Sequence, residues 1–207
     1  MPKPTKSKLL LPRPLSWSGM SLFETNPRLW IKKYLDGEDV GYSNSGQRFG
    51  KKMSEHIEGD EETEDIELST IKSQLKLLQK RNLPISCILK SVYGDIPLFG
   101  RLDTANSNLG AFKDHKTGIN GWTQKKADGY GQLHFYATMI YLIKGKIPKA
   151  GIDWIKTINE KGEINVTGEI ESFEVKITMS QVLDMMSRIT KNAVEIDKLT
   201  KKHIKDL

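Results

Sequence analysis

Apolar positions along this chain change period twice, and the two changes divide it into a helical first third, a strand-rich middle, and a mixed last part. Ser21 to Glu24 and Pro27 to Leu35 read as two short helices meeting at Asn26-Pro27, because proline suits a first helical position. Leu29, Trp30 and Tyr34 are their apolar anchors. A further helix is predicted from about Ser45 to Ile57, with Phe49, Met53 and His56 at helical spacing on one face. The acidic stretch Glu58 to Glu67 reads as a solvated loop or helix start. Leu68, Ile71, Leu75 and Leu78 then mark an amphipathic helix that ends before Asn82 and Pro84.

From Ile85 the period shortens. Ile85 to Tyr93, Ile96 to Asp103 and Leu109 to Lys116 read as three antiparallel strands, with turns at Gly94-Asp95 and around Asn106-Ser107-Asn108. Trp122 to Ile143 holds a long, largely apolar helix that should be buried. Gly151 to Ile158 and Phe173 to Ile177 read as further strands. The closing helix, about Ser180 to Ile204, repeats Val182, Met186, Ile189, Ala193 and Ile196 on one face. The expected fold is α/β, a mixed central sheet flanked by helices with helical elements in front. Residues 1–15, with four prolines and scattered lysines, read as an N-terminal arm, and residues 16–207 as one domain.

Bulk properties narrow the function classes. A chain of 207 residues can close its own core, and no apolar run approaches the roughly 18 residues of a membrane span. Leu9 to Leu11 is too short for a signal-peptide core, so a cytoplasmic location and no membrane partner are expected. Cys87 is the single cysteine, which leaves no four-cysteine iron–sulfur cluster, zinc-thiolate site or intramolecular disulfide. A net charge of +6 suits a polyanionic partner such as nucleic acid without requiring one.

The chemistry concentrates on the predicted strands. Asp114 and Lys116 are two apart, so both side chains leave one face of the sheet. Asp103 ends the preceding strand, and a short hairpin can bring it beside Asp114. Two carboxylates and an ammonium are costly to bury without a counter-charge, and a hard divalent cation such as Mg²⁺ supplies one. Such a cation can acidify a water and steady a phosphate, leaving Lys116 to orient the attack. Taken alone, an Asp-x-Lys pair is more often a solvated surface feature. Gln132 and Tyr136, four apart on a helix, add two polar groups on one face that can meet a phosphate backbone. The same pair also fits a polar seam on a packed helix.

The ordered series Gly100-Arg101-Leu102-Asp103, Asp114-His115-Lys116-Thr117-Gly118 and Gln132 to Tyr136 resembles the RecB-type branch of the PD-(D/E)xK nucleases. Ser16, Ser18, Phe23, Pro27, Trp30 and Tyr34 are similar to that branch's N-terminal segment. Gly50 to His56 is similar to its Gly–His element, one residue longer than the tightest form. The resemblance spans residues 16–137. It implies a restriction-endonuclease-like core with Asp103, Asp114 and Lys116 as catalytic residues. The metal shell it implies is His56, Asp103, Asp114 and the backbone carbonyl of His115, with Glu55 as a weaker substitute for His56. Gln132, Tyr136 and Arg101 would hold DNA.

The implied activity is Mg²⁺-dependent (Mn²⁺ is an alternative) DNA hydrolysis, by an exonuclease in recombination, repair or phage DNA metabolism. A structure- or duplex-specific endonuclease and an inactive DNA-binding subunit are the alternatives. A recombination or single-strand-binding protein is a further partner the reading allows. Arg101, Lys113, Lys125, Lys126, Lys144, Lys146 and Lys149 are candidate phosphate contacts, while Trp122 and Tyr130 could stack on an unpaired base. Trp122 also fits a core anchor at a helix start. His134 and His203 have no place in the motif series and read as structural or surface residues.

Overall fold

The computed structural model describes residues 9–41, 45–59 and 66–206, without the side chains of Glu58, Ile66 and Glu67. Most of the acidic Glu58 to Glu67 stretch, and residues 1–8 of the expected arm, lie outside the described residues.

Four helices come first: α1 (Trp17–Thr25), α2 (Pro27–Tyr34), α3 (Ser45–Glu58) and α4 (Ile66–Gln74). Asn26 both ends α1 and caps α2, accepting the Leu29 N–H at 3.0 Å, with Pro27 at the first helical position. Three strands follow: β1 (Lys80–Ser91), β2 (Gly94–Ala105) and β3 (Ala111–Gly118). After them come α5 (Gln124–Asp128), α6 (Gly131–Lys144), β4 (Lys149–Glu160), β5 (Glu163–Val175) and α7 (Met179–Asp206). The strands form one five-stranded sheet in the order β1-β2-β3-β4-β5, antiparallel throughout except for the parallel β3–β4 pair. Helices α5 and α6 lie in the crossover between those two parallel strands, as the pairing requires. This is a mixed α/β fold with a restriction-endonuclease-like core.

The sheet is buried from both sides. Leu98, Leu102, Phe112 and Ile152 pack with Leu133, Tyr136 and Ile140 of α6 and with Val182 and Ile189 of α7. Ile155 of β4 packs on the other side with Met53 and Ile57 of α3 and with Leu68, Ile71 and Leu75 of α4. Among the described residues no helix is long and apolar enough to cross a membrane.

Several boundaries differ from the sequence reading for local reasons. Helix α4 stops at Gln74, and β1 takes in Asn82 and Pro84. Because β1 is an edge strand, a residue without an N–H costs it no inner ladder bond. The first hairpin turns at Val92-Tyr93 rather than Gly94-Asp95, with Ser91 paired to Gly94. The long apolar helix expected within Trp122 to Ile143 is α6, set off from the short α5 by Gly129 and an extended Tyr130.

One irregularity shapes the functional region. Strands β2 and β3 pair only at Thr104–Lys113 and Ala105–Phe112, and then part. Farther back along β2, Leu15 occupies the vacated edge. Its N–H donates to Pro97 O at 2.8 Å, and its carbonyl accepts the Phe99 N–H at 2.9 Å. The lead-in before α1 thus becomes a stub of strand that holds the fork open.

Candidate active site

The fork opens between Asp103 and Asp114. The β1–β2 ladder omits the Asn82–Asp103 pair, and Asn82 lies in the left-handed region at φ 48°. With that ladder position interrupted, Asp103 turns to β3, where its Oδ2 accepts the His115 N–H at 2.7 Å. A side chain thereby replaces the ladder bond that the parting strands no longer make.

Asp114 lies opposite Ile152 of β4 and is 1% exposed. The Lys116 Nζ stands 2.8 Å from its Oδ2, as residues two apart on one strand face can. That approach is one of charge, because among the described residues neither Asp114 oxygen receives a hydrogen bond of good geometry. Burial by itself lowers the pKa of the Lys116 ammonium. The Asp114 carboxylate, with help from Tyr130 and Asp103, more than reverses this and holds its pKa above the ordinary lysine value.

Helix α6 supplies the facing wall. Gln132 Oε1 accepts the Lys116 Nζ at 3.2 Å and the Tyr130 hydroxyl at 2.8 Å, while its Nε2 donates to the Tyr136 hydroxyl at 3.1 Å. Burial, then the Asp114 charge, pushes the Tyr136 hydroxyl up to about 12, so it remains protonated. The helix comes this close because β2 carries Gly100 beneath it. A Cβ there would stand 2.8 Å from Tyr136 Cε1.

His115 points to the other side of the sheet, toward Asp153, an acid amid the apolar run of β4. Burial keeps its ring below the ordinary histidine value despite the pull of Asp153 and Asp114. Asp153 is matched instead by Lys113, at 2.9 and 3.0 Å, and by the Ser172 hydroxyl at 2.6 Å. Lys113, expected among the phosphate contacts, is therefore committed to this pair. The pair lines a groove of about 980 Å³ beside β5, and Asp103, Asp114 and Lys116 do not border that groove.

Asp103, Lys116 and Thr117 open instead onto a cleft of about 810 Å³. Its walls include Ser18 of α1, Leu29 and Tyr34 of α2, and Gly50 and Ser54 of α3. His56, implied as a metal ligand by the resemblance, does not line this cleft. Successive helical residues turn by about 100°, so Gly50 and Ser54 lie on one flank of the Met53–Ile57 stripe and His56 on the other. Arg101 is exposed and donates to Asn82 at 3.1 Å, outside the cleft lining. Trp122 is half-buried, packed edge-on to Tyr130 at 5.1 Å with the Lys126 ammonium 4.4 Å from its ring centre.

Asp114 fits a divalent cation. A carboxylate this buried, with no hydrogen bond of good geometry to either oxygen among the described residues and the Lys116 ammonium beside it, can take up a further positive charge. Among the described residues no three His, Cys, Asp or Glu side chains gather as a ligand set. Mg²⁺ commonly takes only one or two carboxylates, filling its shell with water and phosphate oxygens, so Asp103 and Asp114 suit it. Sequence reading missed Ser54 and Asp153, and gave Tyr130 a base-stacking role rather than its place beside Gln132 and Lys116. The lone acid in an apolar strand was the signal for Asp153, and nothing in the spacing marked Ser54.

No protein-family model matches the chain, and no curated protein matches its sequence. Among solved structures it is similar to a candidate exonuclease from Eubacterium rectale, with TM-score 0.58 and 12% identity over 92% of this chain and 82% of that one. A second structure, of SSO0001, aligns with TM-score 0.47 and 10% identity over 89% of this chain and 79% of the other. The first likeness is one of fold.

Proposed function

We propose that the chain is a Mg²⁺-dependent deoxyribonuclease, acting as an exonuclease in DNA recombination, repair or phage DNA metabolism. The observation that carries the reading is Asp114, a buried carboxylate 2.8 Å from the Lys116 ammonium at a fork it shares with Asp103. The motif series that resembles PD-(D/E)xK nucleases, and the fold likeness to a candidate exonuclease, support it.

Asp103 and Asp114 would hold the cation, with the backbone carbonyl of His115 beside them. When bound, such a cation makes a water acidic enough to attack a phosphodiester and draws charge from the phosphate. Lys116, paired with Asp114 at 2.8 Å, would orient the attacking oxygen and offset charge on the phosphate. Gln132 receives the Lys116 Nζ and thereby sets where that charge points. Asp103 accepts the N–H of the Asp114–His115 peptide and so fixes the backbone between the two residues. Tyr136 keeps a hydroxyl proton that can be donated to a phosphate oxygen. His56 stays the helix-borne ligand that the resemblance implies, although it does not line the cleft.

The test compares wild type with Lys116→Ala on end-labelled linear DNA and on covalently closed circles, with Mg²⁺ and with EDTA. Loss of the linear form alone, abolished by EDTA and by Lys116→Ala, is the expected result. Cutting of circles would replace the exonuclease by an endonuclease. Binding without hydrolysis under Mg²⁺ or Mn²⁺ would refute catalysis on DNA.

A further inference from the structure

We propose that the hairpin half of β1 accepts a sixth strand, an extended acidic segment of a partner protein. It runs along residues 86–91 and seats apolar side chains between the hairpin and α7. The proposal does not depend on the nuclease reading.

Strand β1 closes the five-stranded sheet, so its outer edge has no partner strand among the described residues. Which backbone groups point outward follows from β2. The Pro97 carbonyl and the Phe99 N–H face away from β1, since both bond Leu15. Their cross-strand partners Ile88 and Ser86 therefore face away from β2, and by the same alternation so does Lys90. Three alternate residues thus present N–H and C=O groups outward, the template that an added strand requires.

The two halves of this edge differ. Toward its start β1 carries Lys80, Arg81 and Pro84, and charge and proline are the usual protection of an edge against strand addition. Residues 86–91 lack that protection. Ile88 is 51% exposed, and Lys90, the one charge in this stretch, is drawn across the ladder to Asp95.

Beside this half lies an open groove of about 740 Å³ between the hairpin and α7. The hairpin tip brings Val92 and Tyr93, 81% and 51% exposed, and α7 brings Leu183 at 55%. Met186, Thr190 and Val194 continue the α7 wall from Leu183 at three- and four-residue spacing, hence on one flank of the helix. Apolar side chains this exposed and this close together mark a surface that another molecule covers.

Charge selects the occupant. Lys90, Lys191 and Lys198 line the groove against a single acid, Glu195. A second copy of the chain would bring the same lysines, in a protein of net charge +6, so pairing of two β1 edges is opposed. Nucleic acid answers the lysines but has no row of groups spaced to bond a strand edge. An acidic extended peptide answers both. The groove lies roughly 30 Å from Asp103, which is nine residues along β2 from Gly94 at about 3.3 Å each. A partner held there leaves the cleft of Asp103 and Lys116 open.

The experiment uses the full chain and fluorescence anisotropy with three labelled peptides. They are a valine–threonine repeat flanked by glutamates, its lysine-flanked twin, and the glutamate form N-methylated at alternate residues along its bonding edge. The glutamate peptide should bind at least about tenfold more tightly than the lysine twin, and N-methylation should abolish its binding. Ile88→Pro removes one outward N–H and no ladder bond, and should weaken binding at least about tenfold. Lys191→Glu with Lys198→Glu should reverse the preference between the two peptides, a readout that stands even where Ile88→Pro does not fold. Failure of every peptide to bind, equal affinity for the two charge forms, or binding indifferent to N-methylation overturns the proposal. So does displacement of the glutamate peptide by a single-stranded oligonucleotide, or a dimer in sedimentation that Ile88→Pro dissociates.

Discussion

Gly100→Ala tests how closely the fold and the site are tied. Gly100 has no positive φ, so the β2 backbone accepts alanine, and the new methyl acts through contact alone. It would stand 2.8 Å from Tyr136 Cε1, 3.1 Å from Cδ1 and 3.2 Å from Met139 Sδ. The Tyr136 ring cannot swing clear cheaply, being packed edge-on to Phe112 at 6.1 Å and held by Gln132 at 3.1 Å. Overpacking of this kind costs about 1–3 kcal/mol, and the reduced freedom of the unfolded chain returns about 0.4–1 kcal/mol. A net loss of about 1–2 kcal/mol lowers the melting temperature by roughly 2–8 °C in a chain of this size. Displacing Tyr136 also disturbs Gln132 and, through it, Lys116, so kcat should fall by about ten- to a hundredfold. Urea unfolding and single-turnover cleavage measure the two effects. In a Tyr136→Leu background the methyl has room, and Gly100→Ala should then cost little. An equal stability loss in both backgrounds would refute the argument from contact with this ring.

Other perturbations separate the remaining interactions. Lys113→Met leaves the 1%-exposed Asp153 without its cation and should destabilise by about 3–5 kcal/mol in denaturant melts, with much of the loss recovered by adding Asp153→Asn. Saturating wild type with Mg²⁺ to about ten times its Kd should add about 1.4 kcal/mol of stability in a thermal melt, and Asp114→Asn should abolish that increment. Burial pushes the Cys87 thiol up from 9.0 to about 11, so the folded chain keeps a proton that the unfolded chain loses first. Stability attributable to Cys87 is therefore intact below pH 9 and lost as the pH rises from about 9 to 11. Cys87→Ala should flatten that part of the alkaline unfolding profile relative to wild type.

How much of the molecule was legible beforehand depended on the range of the interactions involved. Pro27 behind Asn26 announces a helix start because both residues act within one turn. Asp114 and Lys116 could be placed on one face because alternation is a property of any strand. Gln132 and Tyr136 could be placed one turn apart for the corresponding reason in a helix. The same rules erred where a distant element decided the outcome. Pro84 sits in β1 because that strand is at the sheet edge, a fact about its neighbours rather than about proline. For His56 the spacing gave the apolar side of α3, while the flank that faces the cleft is set by how α3 is rotated over the sheet, which spacing does not address.

The sequence by itself determined the order of helices and strands, the local caps, and which polar residues share a face of each element. These follow from backbone periodicity and short-range hydrogen bonding, which need no partner far away. Only the tertiary structure decided that β2 and β3 part after two pairs, that Leu15 fills the gap, and that Asp103 binds the His115 N–H in consequence. It likewise decided that Lys113 belongs to Asp153, 40 residues away. Strand parting and buried charge pairing are settled by competition among elements for edges, space and counter-charge, and that competition exists only once the chain is packed.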